Sequence, residues 1–87
     1  MKNILFTLAL LVSFSSFGQT AKEYFDSAYN KAKNGDYYGA ISDYNKSIEL
    51  DPDPAAYYNR GWSKNKLKDY NGAIADYTKA IELDPDD

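Results

Sequence analysis

The chain has 87 residues, enough for one small domain. It contains no cysteine and no histidine, which excludes disulfide bonds and every catalytic or metal site that depends on those two residue types. Its net charge of −3 argues against nucleic acid as a partner, because phosphate binding depends on clustered lysine and arginine.

The N-terminus predicts a cleavable export signal. Lys2 provides a short positive start, residues 4–12 form an apolar run, and Ser16 and Gly18 place small residues where a signal peptidase cuts. The run is shorter than the roughly 20 apolar residues of a membrane-spanning helix. We therefore expect residues 1–18 to be removed and the protein to be exported, periplasmic or secreted, with no membrane insertion after cleavage. An uncleaved N-terminal anchor is the alternative, and the absence of cysteine rules out a lipoprotein-type attachment.

Two helices are predicted in the first half of the remaining chain. Thr20 and Glu23 have the spacing of a capping box, in which each side chain satisfies a free backbone N–H group of the other residue. Gly35 ends this first helix, since glycine tolerates the left-handed conformation that closes a helix. Asp36 then caps a second helix that continues to about Leu50.

Two more helices are predicted in the second half. Asp53 caps the third helix and Pro54 occupies its first turn, where the missing N–H group does no harm. This helix ends near Leu67. Asp69 caps the fourth helix, which ends before Pro85 because the residue before proline disfavours the helical conformation.

The chain repeats itself across these helices. Residues 36–53 and residues 69–86 are identical at 14 of 18 positions at an offset of 33. A repeat of this length predicts a helical solenoid, in which each unit covers the apolar face of its neighbour. The second and fourth helices share a row of small and large apolar residues at helical spacing: Ala40, Tyr44, Ser47 and Ile48, repeated as Ala73, Tyr77, Ala80 and Ile81.

These residues resemble the tetratricopeptide repeat family, whose unit is a helix–turn–helix of about 34 residues. The matching residues are Tyr57, Gly61, Leu67, Tyr70, Ala73, Tyr77, Ala80 and Pro85 in the second unit and Tyr24, Ala28, Gly35, Tyr37, Ala40, Tyr44 and Pro52 in the first. The resemblance implies an all-α, right-handed α-solenoid of antiparallel helix pairs, with four helices behind the signal helix. The domain is expected at 19–87, with units at 21–53 and 54–87.

Three lysines depart from the family pattern. Lys31 and Lys64 stand where the family often places a core aromatic residue, and Lys68 replaces the usual turn glycine. We therefore expect lower local stability at these positions and a more costly turn after the third helix.

The resemblance implies a non-catalytic scaffold for protein–protein interaction. In this family the first helix of each unit lines a concave groove that takes an extended peptide or a partner helix. The candidate peptide- or partner-binding residues on this face are Lys22, Phe25, Tyr29, Lys33, Tyr58, Asn59, Trp62, Asn65 and Lys66. The aromatics offer stiff contact area, and the lysines favour an acidic peptide or a free C-terminal carboxylate. The alternative is that the aromatics only pack between units and the lysines form an ordinary solvated face.

Two narrower kinds of ligand site find less support. Some relatives hold the carboxylate of a chaperone tail with a lysine and asparagine clamp. Asn59 matches one clamp position, but Phe25 and Tyr29 occupy others and cannot perform that role. The nine tyrosines also allow stacking on sugar rings, although several of them fall on expected packing positions.

We expect no enzymatic activity, no cofactor and no metal site. A carboxylate pair is the remaining catalytic option without histidine or cysteine, and the acids fall at helix ends or on expected outer faces, as at Asp43 and Asp76. The aspartates near Asp51 and Asp84 lack the glycine and the terminal glutamate of a helix–loop–helix calcium site.

The fourth helix is expected to leave Ile74, Ile81 and Leu83 partly uncovered. Exposed apolar patches of this kind mark contact sites. The chain is then either the front of a longer repeat protein or a homodimer that pairs through its fourth helix. A self-associating structural fragment without a groove ligand is the alternative function.

Overall fold

The computed structural model describes residues 19–86, and within them the chain forms four α-helices and no strand. The helices are α1 (Ala21–Lys33), α2 (Tyr37–Leu50), α3 (Pro54–Lys66) and α4 (Tyr70–Leu83). The prediction of four helices is confirmed, whereas the predicted export signal lies outside the described residues. None of the described helices is long and apolar enough to span a membrane.

Each helix begins at the side chain that the sequence predicts as its cap. The backbone N–H of Glu23 donates to the Thr20 hydroxyl at 3.1 Å, and the Thr20 N–H donates to the Glu23 carboxylate at 2.8 Å, which completes the capping box. Asp36, Asp53 and Asp69 each accept a backbone N–H bond from the first turn of the helix that follows. These bonds satisfy donors that a helix start otherwise leaves free.

The helices pack as two antiparallel pairs. α1 packs against α2, α3 packs against α4, and α2 packs against α3 to join the pairs into a short solenoid. The core at this junction is built almost entirely from small residues around one large ring, and its buried members are Ala28, Ala32, Ala40, Tyr44 and Ala56. Small side chains allow the helix backbones to approach closely, and the ring fills the space between them.

The predicted apolar row is buried in α2 but only in part in α4. Ala40, Tyr44 and Ser47 are buried, because α1 and α3 cover α2 from two sides. In α4 the last member, Ile81, is 64% exposed. The reason is that α4 contacts α3 alone among the described helices.

The two turns that join the helices within each pair have the same shape but different residues. Gly35 adopts φ 86° after α1, and Lys68 adopts φ 68° after α3. Both angles lie in the left-handed region, where a side chain crowds the following carbonyl oxygen and glycine is favoured. The expectation of a more costly turn at Lys68 therefore has a geometric basis.

Lys68→Gly is expected to stabilise the protein by about 1 kcal/mol. Glycine removes the cost of placing a side chain in the left-handed conformation. Part of this gain is lost, because glycine also increases the conformational freedom of the unfolded chain. Urea denaturation followed by far-UV circular dichroism measures this change. The reverse substitution at the equivalent turn, Gly35→Lys, is the control and should destabilise. A Lys68→Gly protein that unfolds at the same or a lower urea concentration contradicts the prediction.

Candidate functional site

Each helix pair is held together by an aspartate on its second helix that faces lysine on its first. In the first pair, the Lys31 ammonium lies 2.9 Å from the Asp43 carboxylate, and the Ser27 hydroxyl donates to the same carboxylate at 2.6 Å. Lys31 is partly exposed, so this pair is open to water. It links α1 to α2.

The equivalent site in the second pair is buried and carries more charge. Asp76 is only 3% exposed. Arg60 donates to it through Nε at 2.9 Å and Nη2 at 2.7 Å, and the Lys64 ammonium lies 3.1 Å away. Arg60 also donates through Nη1 to the Asn45 side chain of α2 at 2.9 Å. One guanidinium thus ties together α2, α3 and α4, which sets the orientation of one pair against the other.

The expectation that Asp43 and Asp76 lie on outer faces is wrong. Both carboxylates face the first helix of their own unit, because Lys31 and Lys64 occupy core-side positions and need an opposite charge there. The signal was present in the sequence, since both the lysine and the aspartate recur at the 33-residue offset. The repeat pattern places only the lysine of each pair on the core side, so it does not predict the pairing.

The pKa of the Asp76 carboxyl reflects two opposed effects. Burial acts to raise this pKa, but the hydrogen bonds and charges of Arg60 and Lys64 together outweigh burial and hold the pKa below its usual value. Asp76 is therefore ionised at neutral pH and acts as a structural counter-ion.

A groove of about 270 Å³ opens between α1 and α3. Its lining residues come from both units: Tyr29, Ala32, Lys33, Tyr44, Tyr58, Asn59 and Trp62. Three of its aromatic side chains remain accessible, with Tyr29 51%, Tyr58 54% and Trp62 38% exposed. Five of the nine predicted binding residues, Tyr29, Lys33, Tyr58, Asn59 and Trp62, lie together here.

The groove aromatics also contact the second helices. The Trp62 ring meets the edge of Tyr37 with centroids 5.9 Å apart, and Tyr58 lies 5.3 Å from Tyr77. These contacts restrain the rings and still leave part of each side chain accessible. The packing interpretation and the binding interpretation of the aromatics are therefore compatible.

A lysine lies over one groove aromatic in each unit. The Lys33 ammonium is 5.9 Å from the centroid of the Tyr29 ring, and the Lys66 ammonium is 4.8 Å from that of Trp62. Both pairs stand at equivalent positions of the repeat, four residues apart along a helix. Such cation–π contacts keep the positive charges beside the groove rather than extended into solvent.

The other four predicted binding residues do not line the groove. Lys66 is one of them, although its ammonium lies over the Trp62 ring. Lys22 and Phe25 line a separate recess of about 230 Å³ near the start of α1. The Lys22 ammonium is 2.8 Å from Asp26, and Phe25 is half-buried, with its ring 5.5 Å from Tyr44. Asn65 is exposed and does not line the groove.

The groove also includes Tyr44, which the sequence assigned to packing alone. This residue is 1% exposed and lies at the bottom of the groove. Burial raises the pKa of its phenol to about 12, with a smaller contribution from Tyr29. The hydroxyl therefore remains protonated and able to donate a hydrogen bond at neutral pH. The spacing of Tyr44 within a packing row predicts its burial and gives no sign that it also lines the groove.

Two family models match the chain in tandem, and both describe a tetratricopeptide repeat. One covers residues 21–54 and the other covers residues 54–87. The chain belongs to the tetratricopeptide repeat family. A search of curated proteins finds no match.

Tetratricopeptide repeats serve as scaffolds for protein–protein interaction and are generally non-catalytic. Within residues 19–86, the tetratricopeptide units bring together no group of three or more acidic or other metal-ligating side chains. The chemistry that the two units do assemble is the groove between α1 and α3, with its aromatic walls and the Lys33 ammonium group, and with Lys66 over the Trp62 ring.

Proposed function

We propose that this protein is an interaction module that binds an extended segment of a partner protein in the groove between α1 and α3. The observation that carries the proposal is the exposure of Tyr29, Tyr58 and Trp62 on one concave surface. Aromatic rings of this kind supply most of the binding energy in many interfaces, since they offer a large contact area with few rotatable bonds.

Two further features support a particular kind of partner and place of action. Lys33 and Lys66 lie beside the rings and favour an acidic segment or a free C-terminal carboxylate. The apolar N-terminal run and the small residues that follow it support export, so we propose that binding takes place in the periplasm or outside the cell. We propose that the protein has no catalytic activity of its own.

Trp62→Ala is expected to weaken peptide binding by at least tenfold, on the scale of a hot-spot residue of about 2 kcal/mol. The measurement begins with selection of binders from a displayed library of random peptides on the purified protein. Dissociation constants for the selected peptides are then compared between variants by isothermal titration calorimetry. The helical circular dichroism signal should be unchanged, because Trp62 is already partly exposed to water.

Tyr70→Ala is the matched control for this experiment. Tyr70 is an exposed aromatic on α4, outside the groove, and its removal should leave the same dissociation constants unchanged. The proposal fails if selection yields no peptide, or if Trp62→Ala and Tyr70→Ala affect binding equally.

Self-association through α4 is a second candidate function. Ile74 and Ile81 are 62% and 64% exposed, whereas their equivalents in the first unit, Ile41 and Ile48, are partly covered. An exposed isoleucine pair on one helix favours contact with another apolar surface, and a second copy of the chain offers an identical one.

Sedimentation equilibrium over a range of concentrations is expected to show a dimer that Ile81→Lys converts to a monomer. Leu50→Lys is the control, because Leu50 is an exposed apolar residue at the end of α2 rather than α4. A wild-type protein that is monomeric at every concentration contradicts the self-association function. So does a dimer that Leu50→Lys dissociates equally well.

A further inference from the structure

The junction between the two units shows how a first helix docks on the second helix before it. Ala56 of α3 is fully buried in a cluster that includes Tyr44 of α2. The Arg60 guanidinium donates from Nη1 to the Asn45 side chain of α2 at 2.9 Å. Ser63, seven residues after Ala56 and on the same side of the helix, is also fully buried. We call Ala56, Arg60 and Ser63 the docking stripe of α3.

The uncovered face of α4 repeats the face of α2 on which that stripe lies. Ile81 is 64% exposed, whereas its equivalent Ile48 packs against the core. A recess of about 660 Å³ lies beside Ile81, between the start of α3 and the end of α4. The equivalent recess of the first unit measures about 230 Å³, and α3 supplies part of its lining with Asp53 and Ala55. A helix that docks as α3 does would therefore fit α4, and the repeat offers α1 of a second copy as the candidate.

However, α1 does not carry the docking stripe. At the three equivalent positions it has Glu23, Ser27 and Asn30. Glu23 and Asn30 are exposed. Ser27 faces its own unit, where its hydroxyl donates to the Asp43 carboxylate at 2.6 Å. The small residue, cation and small residue of α3 are thus replaced on α1 by an acid, a hydroxyl and an amide.

Glu23 is the main obstacle to docking of α1 on α4. Its carboxylate would take the place of Ala56, which is fully buried. The residues clustered with Ala56 are Ala28, Ala32, Ala40 and Tyr44, and their equivalents in the second unit are Gly61, Asn65, Ala73 and Tyr77. None of these equivalents carries a positive charge, so the carboxylate would be buried without a counter-ion, which is strongly unfavourable.

The capping box holds this carboxylate in place. The Thr20 backbone N–H donates to the Glu23 side chain at 2.8 Å. Turning the carboxylate away from a docked helix would break this bond and leave a backbone donor free. The same bond permits a neutral comparison, because glutamine also completes a capping box.

We infer that Glu23 decides how copies of this chain associate: it bars α1 from the open face of α4, so that copies pair α4 to α4 and do not stack end to end. A pair that uses the same surface on both copies is closed, whereas docking of α1 on α4 would leave a free surface at each end and produce an open chain. The inference specifies the geometry of the self-association proposed above. The α4-to-α4 pair rests on that function, and the role of Glu23 does not.

The test transfers the docking stripe to α1 in the triple variant Glu23→Ala, Ser27→Arg, Asn30→Ser. Ser27→Arg faces Asp43, the repeat equivalent of the aspartate that Arg60 holds. Sedimentation equilibrium should show a wild type no larger than a dimer and a triple variant whose average mass continues to rise with concentration. Adding Ile81→Lys to the triple variant should abolish this growth, which identifies α4 as the receiving face. Far-UV circular dichroism checks that each variant is folded.

Further variants isolate the charge. The double variant Ser27→Arg, Asn30→Ser retains Glu23 and should associate end to end at least a hundredfold more weakly than the triple variant. Glu23→Gln in the same background keeps the capping bond without the charge, and its association should lie between the two. Glu49→Ala is the control, because it removes one negative charge at an exposed position of α2 and should leave the wild-type mass unchanged.

The possible results separate this inference from the self-association function. A wild type that grows beyond a dimer overturns the inference, as does a folded triple variant that sediments like the wild type or associates equally with and without Glu23. A wild type that stays monomeric while the triple variant grows contradicts the self-association function alone and supports the role of Glu23. If the triple variant does not fold, Glu23→Ala by itself decides. Its average mass at the highest concentration should exceed that of Glu49→Ala, and an equal mass overturns the inference.

Discussion

Asp76→Ala is expected to destabilise the protein by about 3–5 kcal/mol, the range seen when one partner of a buried ion pair is removed. The substitution leaves Arg60 and Lys64 facing each other with side chains that are only 18% and 21% exposed. Both cations then lie in a poorly solvated site without a counter-ion. A small domain has a total stability of only about 5–15 kcal/mol, so much of the variant should be unfolded at room temperature.

Asp43→Ala at the equivalent position of the first unit is the matched control. Its partner Lys31 is 43% exposed, so water can solvate the ammonium once the carboxylate is gone. Exposed pairs contribute little to stability, and the loss should be less than about half of that for Asp76→Ala. Urea denaturation of both variants, followed by far-UV circular dichroism, measures the difference. Equal losses would show that the burial of Asp76 does not determine its contribution.

The same carboxylate makes the wild-type protein sensitive to acid. The folded-state pKa of Asp76 lies below its usual value, so folding favours the ionised form. Its contribution to stability is present above the unfolded-state pKa of about 4. It is lost as the pH falls through the lower pKa of the folded state. The denaturation midpoint of the wild type should therefore fall more steeply below pH 4 than that of Asp76→Asn, which cannot titrate at this position.

Local signals in the sequence predicted the helices well. Thr20, Asp36, Asp53 and Asp69 each act on the backbone of the next few residues, so the cap and the helix start are read from one short segment. The exposed isoleucines of α4 were also predicted, because their equivalents in α2 need the next unit to cover them.

Contacts between helices were harder to predict. Lys64 and Asp76 are twelve positions apart on different helices, and no short-range pattern links them. Lys64 stands where the family often has an aromatic residue, and by itself it predicts lower local stability. The structure shows that Lys64 and Asp76 instead form a buried ion pair at this position. The pairing becomes visible only when Lys31 and Asp43 are seen to repeat it.

The groove residues on the first helices were predicted from the sequence, but the one on a second helix was not. Tyr29 and Trp62 were predicted from helical spacing on the first helices, and the structure places them together. Tyr44 belongs to the second helix and satisfies every criterion of a core residue. Its place in the groove lining depends on how α1 and α3 pack against α2, which a pattern within α2 does not predict. A periodic pattern assigns each residue to one face of a helix. It therefore does not predict that one side chain both packs in the core and lines the groove.

Tyr44→Ala is expected to cost about 3–5 kcal/mol, as for other large aromatic truncations in cores. Tyr44 is the largest fully buried side chain among residues 19–86, and its ring packs edge-on against Phe25 with centroids 5.5 Å apart. Its buried neighbours are alanines, among them Ala28, Ala40 and Ala56. Alanine has no rotamer with which to fill the space, so the cavity remains open and its full cost is felt.

Tyr77→Ala provides the comparison, because Tyr77 is the repeat equivalent of Tyr44 but is only partly buried. A side chain that is still partly in water loses less transfer free energy when truncated, so Tyr77→Ala should be clearly the milder change at low protein concentration. Both losses are measured by urea denaturation. If α4 pairs with a second copy, the cost of Tyr77→Ala should rise with protein concentration while that of Tyr44→Ala stays constant. A cost for Tyr77→Ala that equals that of Tyr44→Ala in a dilute monomer would contradict the exposure that the structure assigns to the last helix.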